Sequence, residues 1–380
     1  MDTTEKTKLT TWEAACIVTG YGIGGGVLAM PYLAARNGVL ISFLILVAAY
    51  FASLLMHMMV ADLSLRAGSS QITVIYERFL FKGKFKKPLT IGFFILIALV
   101  LLTTLATYIT GSGEIIAEYF NLSPLLCRII FYAVAAIVVL FGLKAVGISE
   151  KIAVILIFAL IAAFAVASFM NIRNPLPVIP GKWNEILAYF SMAMFAFIAF
   201  FSIPQAVEGL GGDIKRIRKA IIIGFVNIFI MVFVITLCAL LASVEITPLA
   251  MIGWSEGIGA WAKIVGSVFT VLAMITTYWS ISLALADIIK AQTKLNRIIC
   301  WLLATLPTLF LTFLGGGFFE FVRIAGGINA ILIAVMIIPV FAGANKEGPT
   351  LILGKFASLP VQIIIVLTYL IMAAGSMVQL

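Results

Sequence analysis

Charge is what this chain has least of. Lys, Arg, Asp and Glu make up 11% of its 380 residues, and histidine occurs once, at position 57. Soluble domains carry roughly a quarter charged residues, so no aqueous domain of ordinary size fits. With a single histidine and no HExxH, the sequence lacks the sets on which hydrolytic metal sites are built, and no enzyme activity or cofactor is expected. The four cysteines, Cys16, Cys127, Cys238 and Cys300, lie in apolar segments without metal-ligand spacing and read as small core residues. No repeated filter sequence or ring of like residues points to a channel.

What the chain has instead is apolar sequence: 63% hydrophobic residues, with a mean hydropathy of +1.19. Windows of about 20 apolar residues fall at 14–35, 38–63, 88–111, 122–143, 151–171, 184–210, 220–244, 262–288, 297–314, 318–343 and 353–378. The expectation is therefore an all-α polytopic membrane protein with eleven transmembrane helices, residues 1–380 forming a single transmembrane domain. Small residues after the first apolar run (Leu28-Ala29-Met30, Ala34-Ala35) imitate a cleavage site, but Glu13, the neighbouring glycines and Pro31 argue for a retained first span. The net charge of +9 follows the loops and implies no nucleic-acid partner. Nineteen lysines and arginines fall on the N-terminal side of this topology, against six opposite (Arg36, Arg128, Arg173, Lys182, Lys263 and Arg323). That bias places the N-terminus in the cytoplasm and the C-terminus outside the cell membrane.

Two spans are interrupted. Gly20-Tyr-Gly-Ile-Gly-Gly-Gly-Val-Leu-Ala-Met-Pro31 sits mid-way through the first, where each glycine costs about 1 kcal/mol relative to alanine in a helix. Such a break survives in a bilayer only where protein or water shields the freed backbone. Close helix packing through the GxxxG pairs Gly20/Gly24 and Gly22/Gly26 is the alternative use of these residues. Span 6 carries Pro204, with Gln205 and Glu208, after Phe195-Ala-Phe197. Breaks five spans apart, each opening a set of five, imply an inverted repeat: one half at about 11–171, the other at about 184–343, and 353–378 as an extra helix.

At these residues the chain resembles the amino acid/auxin permease family of the amino acid–polyamine–organocation superfamily. The likeness begins at Gly20 to Gly38, continues through Phe195-Ala-Phe197 and Glu208, and ends with Ser282-Leu-Ala-Leu-Ala-Asp287, which is similar to the aromatic amino acid permease branch. It implies the leucine-transporter-type fold and cation-coupled symport of neutral amino acids, aromatic or branched. Phe200 departs from the family, standing where many eukaryotic relatives carry a histidine.

A zwitterion needs hosts for two charges. The amides of Gly24, Gly25 and Gly26, opening the outer half of span 1, suit a carboxylate. Carbonyls near Tyr21 and Gly22, and near Phe197 and Ile198, suit an ammonium. Phe195, Phe197 and Ala199 would shape the side-chain pocket and Tyr108 would close it. In the implied fold a sodium ion binds between span 1 carbonyls, at Gly20 and Ile23, and span 8 hydroxyls, here Thr276 and Thr277. The coupling ion is Na⁺ or H⁺, and the absence of a lysine inside span 5 favours Na⁺. Glu13, Glu208 and Asp287 are candidate gate residues near the cytoplasmic ends, and His57 reads as a hydrogen bond between helices. A passive uniporter or a nutrient sensor on the same fold is the alternative function.

Overall fold

The computed structural model describes residues 8–24, 26–247, 250–313 and 337–378. Gly25 and most of the expected tenth span, 318–343, lie outside these residues. In chain order the helices are α1 (Thr11–Gly22), α2 (Gly26–Asn37), α3 (Val39–Arg66), α4 (Ile72–Phe79), α5 (Lys86–Phe120), α6 (Pro124–Leu140), α7 (Leu143–Met170), α8 (Trp183–Ala196), α9 (Ser202–Gly209), α10 (Ile214–Ala242), α11 (Ala250–Ile258), α12 (Ala260–Thr293), α13 (Arg297–Leu311) and α14 (Leu359–Ser376). Residues 337–345 are also helical.

Among the described residues, α3, α7, α10, α12, α14 and the stretch Gly83–Phe120 containing α5 are each long and apolar enough to cross a membrane. α1 and α2 make one more crossing together, bent by 58°. The shorter apolar helices α6 and α13 and the pair α8–α9 stand at the remaining expected spans. Thr10 starts α1 with a reciprocal cap: its hydroxyl accepts from the Glu13 amide at 3.1 Å, and Glu13 accepts from the Thr10 amide at 2.8 Å. The glycine run ends the same helix. In the second interrupted span α8 stops at Ala196 and α9 resumes at Ser202. Pro204 falls in the first turn of α9, where a missing N–H costs least.

Three boundaries differ from the sequence expectation. The loop after span 2 contains the amphipathic α4, and the loop before span 8 contains α11. The fifth span begins at Leu143 rather than 151. Gly142, at φ 84°, turns the chain so tightly that the helix restarts at once. The first nine residues of α7 carry Lys144, Glu150 and Lys151, so a count of apolar residues excludes them.

Contacts between loops sort them onto two faces. On one, the Leu9 amide donates to the Gly209 carbonyl and Arg216 to Leu9 and Thr11. Lys144 and Lys151 pair with Glu13 there, Arg78 pairs with Glu347, and Arg297 donates to the Leu140 carbonyl. On the other, Val39 bonds to Pro177, Arg128 to Glu114, and Arg173 to Leu241 and Gly257. The loops thus alternate between the two faces along the chain, and most of the basic contacts fall on the first.

α12 lies at the centre. It is the least apolar of the long helices, with mean hydropathy 1.7 against 2.6–2.9 for α3, α7, α10 and the α5 stretch, yet 83% of its apolar window is buried. Thr276, Thr277, Ser280 and Ser282 run along it, all buried. α1 packs on α7, α10 and α12. It approaches α10 closely at Gly224, where an added Cβ would stand 2.8 Å from Val18 Cβ and 3.1 Å from the Ala15 carbonyl. Gly224→Val is therefore expected to lower stability by about 1–3 kcal/mol through overpacking. Thermal unfolding in detergent checks this, with Gly92→Ala, which meets nothing within 4 Å, as the neutral control.

Candidate functional site between two broken helices

The two breaks meet. An added Cβ on Gly22 would stand 2.5 Å from Ile228 and 3.2 Å from the Ala196 carbonyl that ends α8; one on Gly26 would stand 2.6 Å from Phe195 Cδ1. Gly24 has the same tightness toward α5 and α12: its added Cβ would lie 2.5 Å from the Tyr108 hydroxyl and 3.1 Å from Thr277 Oγ1. Only glycine lets four helices close to this distance around bare main chain.

Between them is a cavity of about 30 Å³, lined by Tyr21, Gly22, Gly24 and Gly26 from the first break, Phe195 and Ile198 from the second, Leu101, Thr104 and Tyr108 from α5, and Thr277 and Ile281 from α12. That volume has room for about one or two waters and none for an amino acid, so the site is closed around its lining. An amino acid enters only when Phe195, Ile198 or Tyr108 moves. The N-terminus of α2 faces this space with the positive end of its dipole. Of the residues expected from span 6, Phe195 and Ile198 line the cavity. Phe197 and Ala199 are not among its lining: the Phe197 ring stacks near Phe225 at 6.0 Å and meets Tyr50 edge-on at 6.0 Å. α8 ends at Ala196, and past it the chain turns Phe197 and Ala199 away from the cavity that Phe195 lines.

Ala199 has a different task. Its amide, freed by the break, donates to His57 Nε2 at 2.9 Å. His57 Nδ1 lies 2.6 Å from the Ser53 carbonyl one turn back in α3, so that nitrogen carries the proton and Nε2 is the acceptor. The ring stacks on Phe200 at 4.3 Å with planes 5° apart. The lone histidine thus holds an orphaned donor of the second break, which makes it the inter-helix bond expected from sequence and gives that bond a purpose.

At the expected ion position, Thr277 Oγ1 donates within 3.0 Å of both the Gly20 and Ala273 carbonyls, and Thr276 Oγ1 lies 2.9 Å from the Ala273 carbonyl. These are neutral oxygens of the kind a hard cation takes, so the residues fit Na⁺ by donor type. Ile23 ends the first half-helix beside them, its amide bonded to the Thr19 carbonyl at 3.1 Å.

One turn further along α12, Ser280 donates to Oε1 of Glu150 at 2.6 Å. Glu150 is fully buried and presses on Gly20, where any Cβ would overlap its carboxyl. Sequence reasoning passed over this residue because it set the start of span 5 at 151, eight residues after the helix begins at Leu143. A glycine at 142 followed by a helix-compatible run was the available signal.

Of the gate candidates, Glu13 is buried and pairs with Lys144 at 2.6 Å and Lys151 at 3.6 Å. Glu208 is exposed, and among the described residues neither it nor Asp287 has an ion pair within 4 Å. The basic face is thus shut around the start of α1 by Glu13, Arg216 and the Leu9–Gly209 bond. From the opposite face a cavity of about 330 Å³ descends between α5, α11 and α12 to Leu28, Gly111 and Met274. Its floor is one helical turn from Tyr108 and Thr277.

Residues 7–376 match the tryptophan/tyrosine permease family. The chain belongs to that family. The amino acid/auxin permease resemblance thus gives way to a related transporter family, within which the chain is a permease and not an enzyme. Among curated proteins, the tyrosine-specific transport system 2 of Haemophilus influenzae is 26% identical over 374 residues, covering 90% of this chain and 89% of its own. Among solved structures, Mhp1, a nucleobase-cation-symport-1 family transporter in a closed conformation with bromovinylhydantoin bound, superposes with a TM-score of 0.68 at 14% identity, covering 96% of this chain and 90% of its own. MhsT in complex with L-phenylalanine gives 0.63 at 15% identity, covering 96% and 98%. These permease and transporter likenesses establish the leucine-transporter-type fold in a membrane protein.

Two variants of this permease probe the site. Gly24→Ala is expected to weaken substrate binding by about tenfold or more while the fold persists, because the methyl group takes the place of the Tyr108 hydroxyl; equilibrium binding alongside thermal unfolding separates the two. His57→Ala strands the buried Ala199 amide and is expected to cost about 1–3 kcal/mol in unfolding free energy, read as a lower thermal midpoint.

Proposed function

We propose that this permease is a secondary active transporter that carries aromatic amino acids, coupled to a cation gradient, by alternating access. The observation that carries the reading is the meeting of two helix breaks around one closed cavity. Main-chain groups of Tyr21, Gly22 and Gly24 supply hosts for an ammonium and a carboxylate, and Tyr108, Phe195 and Ile198 supply an apolar and aromatic wall. The name of the Haemophilus influenzae relative, a tyrosine-specific transport system, supports an aromatic cargo. The glycine-rich first break keeps the wider kinship with the amino acid/auxin permeases open at the level of mechanism.

The basic face is the cytoplasmic one, by the excess of lysine and arginine on its loops, which leaves the C-terminus outside. Access in this conformation then comes from outside, since the cytoplasmic face is locked and the larger cavity opens opposite. Substrate crosses when the lock at Leu9, Glu13 and Arg216 parts and the first halves of the broken helices swing away from α3, α7 and α10. A coupling cation at Thr276, Thr277 and the Gly20 carbonyl would tie α1 to α12. The preference for Na⁺ rests on the missing lysine in span 5, a comparison that left Glu150 out.

A passive uniporter would equilibrate its cargo without concentrating it. Purified protein in sealed liposomes is expected to accumulate labelled L-tyrosine above the external concentration under an inward cation gradient and to lose it when the gradient is collapsed. Equal downhill flux with and without the gradient would instead establish the passive carrier.

A further inference from the structure

The cavity between the two breaks has an end remote from the freed main chain, and one hydroxyl stands there. Of the hydroxyl side chains that line the cavity, Tyr21 belongs to the first break and the Tyr108 hydroxyl lies against Gly24. Thr277 bonds to the Gly20 carbonyl. The fourth is Thr104 of α5, buried, one helical turn from Tyr108 toward the basic face. Leu101 lies one turn further along the same side of α5, and Ile281 stands one turn past Thr277 on α12. α5 leaves the basic face and α12 returns to it, so both steps lead the same way. Leu101, Thr104 and Ile281 therefore make up the remote end. A threonine in a helix commonly bonds its own backbone, and Thr103, Thr104 and Thr107 all do so. Of these three, Thr104 alone lines the cavity. Its Oγ1 donates to the Val100 carbonyl at 2.7 Å, and among the described residues nothing donates to it.

We propose that Thr104 selects the cargo, its oxygen accepting a hydrogen bond from a donor at the para position of the substrate ring, so that tyrosine is preferred to phenylalanine; this rests on the transporter reading above. With the zwitterion held at the freed main chain, an aromatic side chain extends along α5 toward Leu101, Thr104 and Ile281. One helical turn, about 5–6 Å, separates Thr104 from Tyr108, which is close to the reach of a tyrosine side chain. A phenol that leaves water for this cavity carries its O–H into apolar surroundings and needs an acceptor there. Thr104 is made into one by its own bond. With its hydrogen committed to the Val100 carbonyl, the oxygen meets the cavity with lone pairs only. A phenylalanine ring has no donor and seals that oxygen off without a partner, and a buried bond left unmade costs more than a made one contributes. Leu101 and Ile281 sort rings by size, which discriminates weakly, whereas a group placed to bond a substrate hydroxyl rejects the analogue that lacks it.

Competition against counterflow of labelled L-tyrosine in sealed liposomes, with no net ion gradient, tests this. L-tyrosine and 4-amino-L-phenylalanine carry a donor at the para position; L-phenylalanine and 4-fluoro-L-phenylalanine do not. In wild type the two donors are expected to inhibit at concentrations about tenfold or more below their counterparts. Thr104→Val is close to threonine in shape but has no hydroxyl. It is expected to bring that ratio to within about threefold, by weakening the donors while phenylalanine competes as before. Thr104→Ser, which keeps the acceptor, is expected to keep the ratio. A hydroxyl with a merely structural role would move all the competitors alike. Thermal unfolding in detergent shows whether each variant is folded, and Thr104→Ala gives the same readout should the valine variant fail. The proposal is overturned if wild type does not separate the donors from their counterparts, or if the preference survives in folded Thr104→Val or Thr104→Ala. It is equally overturned if those variants weaken all the competitors together, or if both unfold, either of which makes the hydroxyl structural. Absence of tyrosine counterflow in wild type would instead remove the transporter reading, and the selection of cargo with it.

Discussion

Backbone polar groups cannot be left facing hydrocarbon, and this protein opens two helices in mid-membrane all the same. Everything else in the structure follows from how the freed groups are held. The first break is enclosed by glycines so close to Tyr108, Thr277, Phe195 and Ile228 that any side chain would collide. The second passes one orphaned amide to His57, which is itself fixed by Ser53 and Phe200. Hydrogen bonds left unmade in such surroundings cost more than those made contribute, so the scaffold helices are committed to these contacts before any ligand is considered.

The same geometry accounts for the absence of charge in the substrate cavity. Half-helix ends provide partial charges of both signs at fixed positions without the desolvation cost of an ionic side chain. Full charges are kept to the faces, where Glu13 with Lys144 and Lys151, and Arg216 with the chain at Leu9 and Thr11, close one side. Glu150 is the exception at depth. Its placement against Gly20 ties the one unpaired buried acid of α7 to the helix that must move.

The architecture was legible because its signals are composition, period and charge bias: the apolar windows, the glycine run, Pro204 and the lysine-rich loops each follow from what a bilayer tolerates. Of the candidate site, the part defined by backbone alone was legible: Gly22, Gly24 and Gly26 line the cavity between the breaks. The site was less so at Phe197 and Ala199, because outside regular structure residue spacing no longer fixes direction. Glu208 and Asp287 were read as gate candidates from their place near the cytoplasmic ends, whereas pairing depends on side-chain reach across helices. Glu150 was missed for a simpler reason. An edge drawn by hydropathy discards the polar turns that a buried helix can carry when its neighbours cover them.

α12 draws out what central placement means for assembly. A segment of mean hydropathy 1.7, lined with hydroxyls, partitions into lipid less readily than α3, α7 or α10. The half-helices on either side of each gap are shorter still, and their open ends have no partners in hydrocarbon. The outer crossings can rest in lipid on their own apolarity, whereas the middle of the bundle is covered only where their faces close over its hydroxyls and open ends.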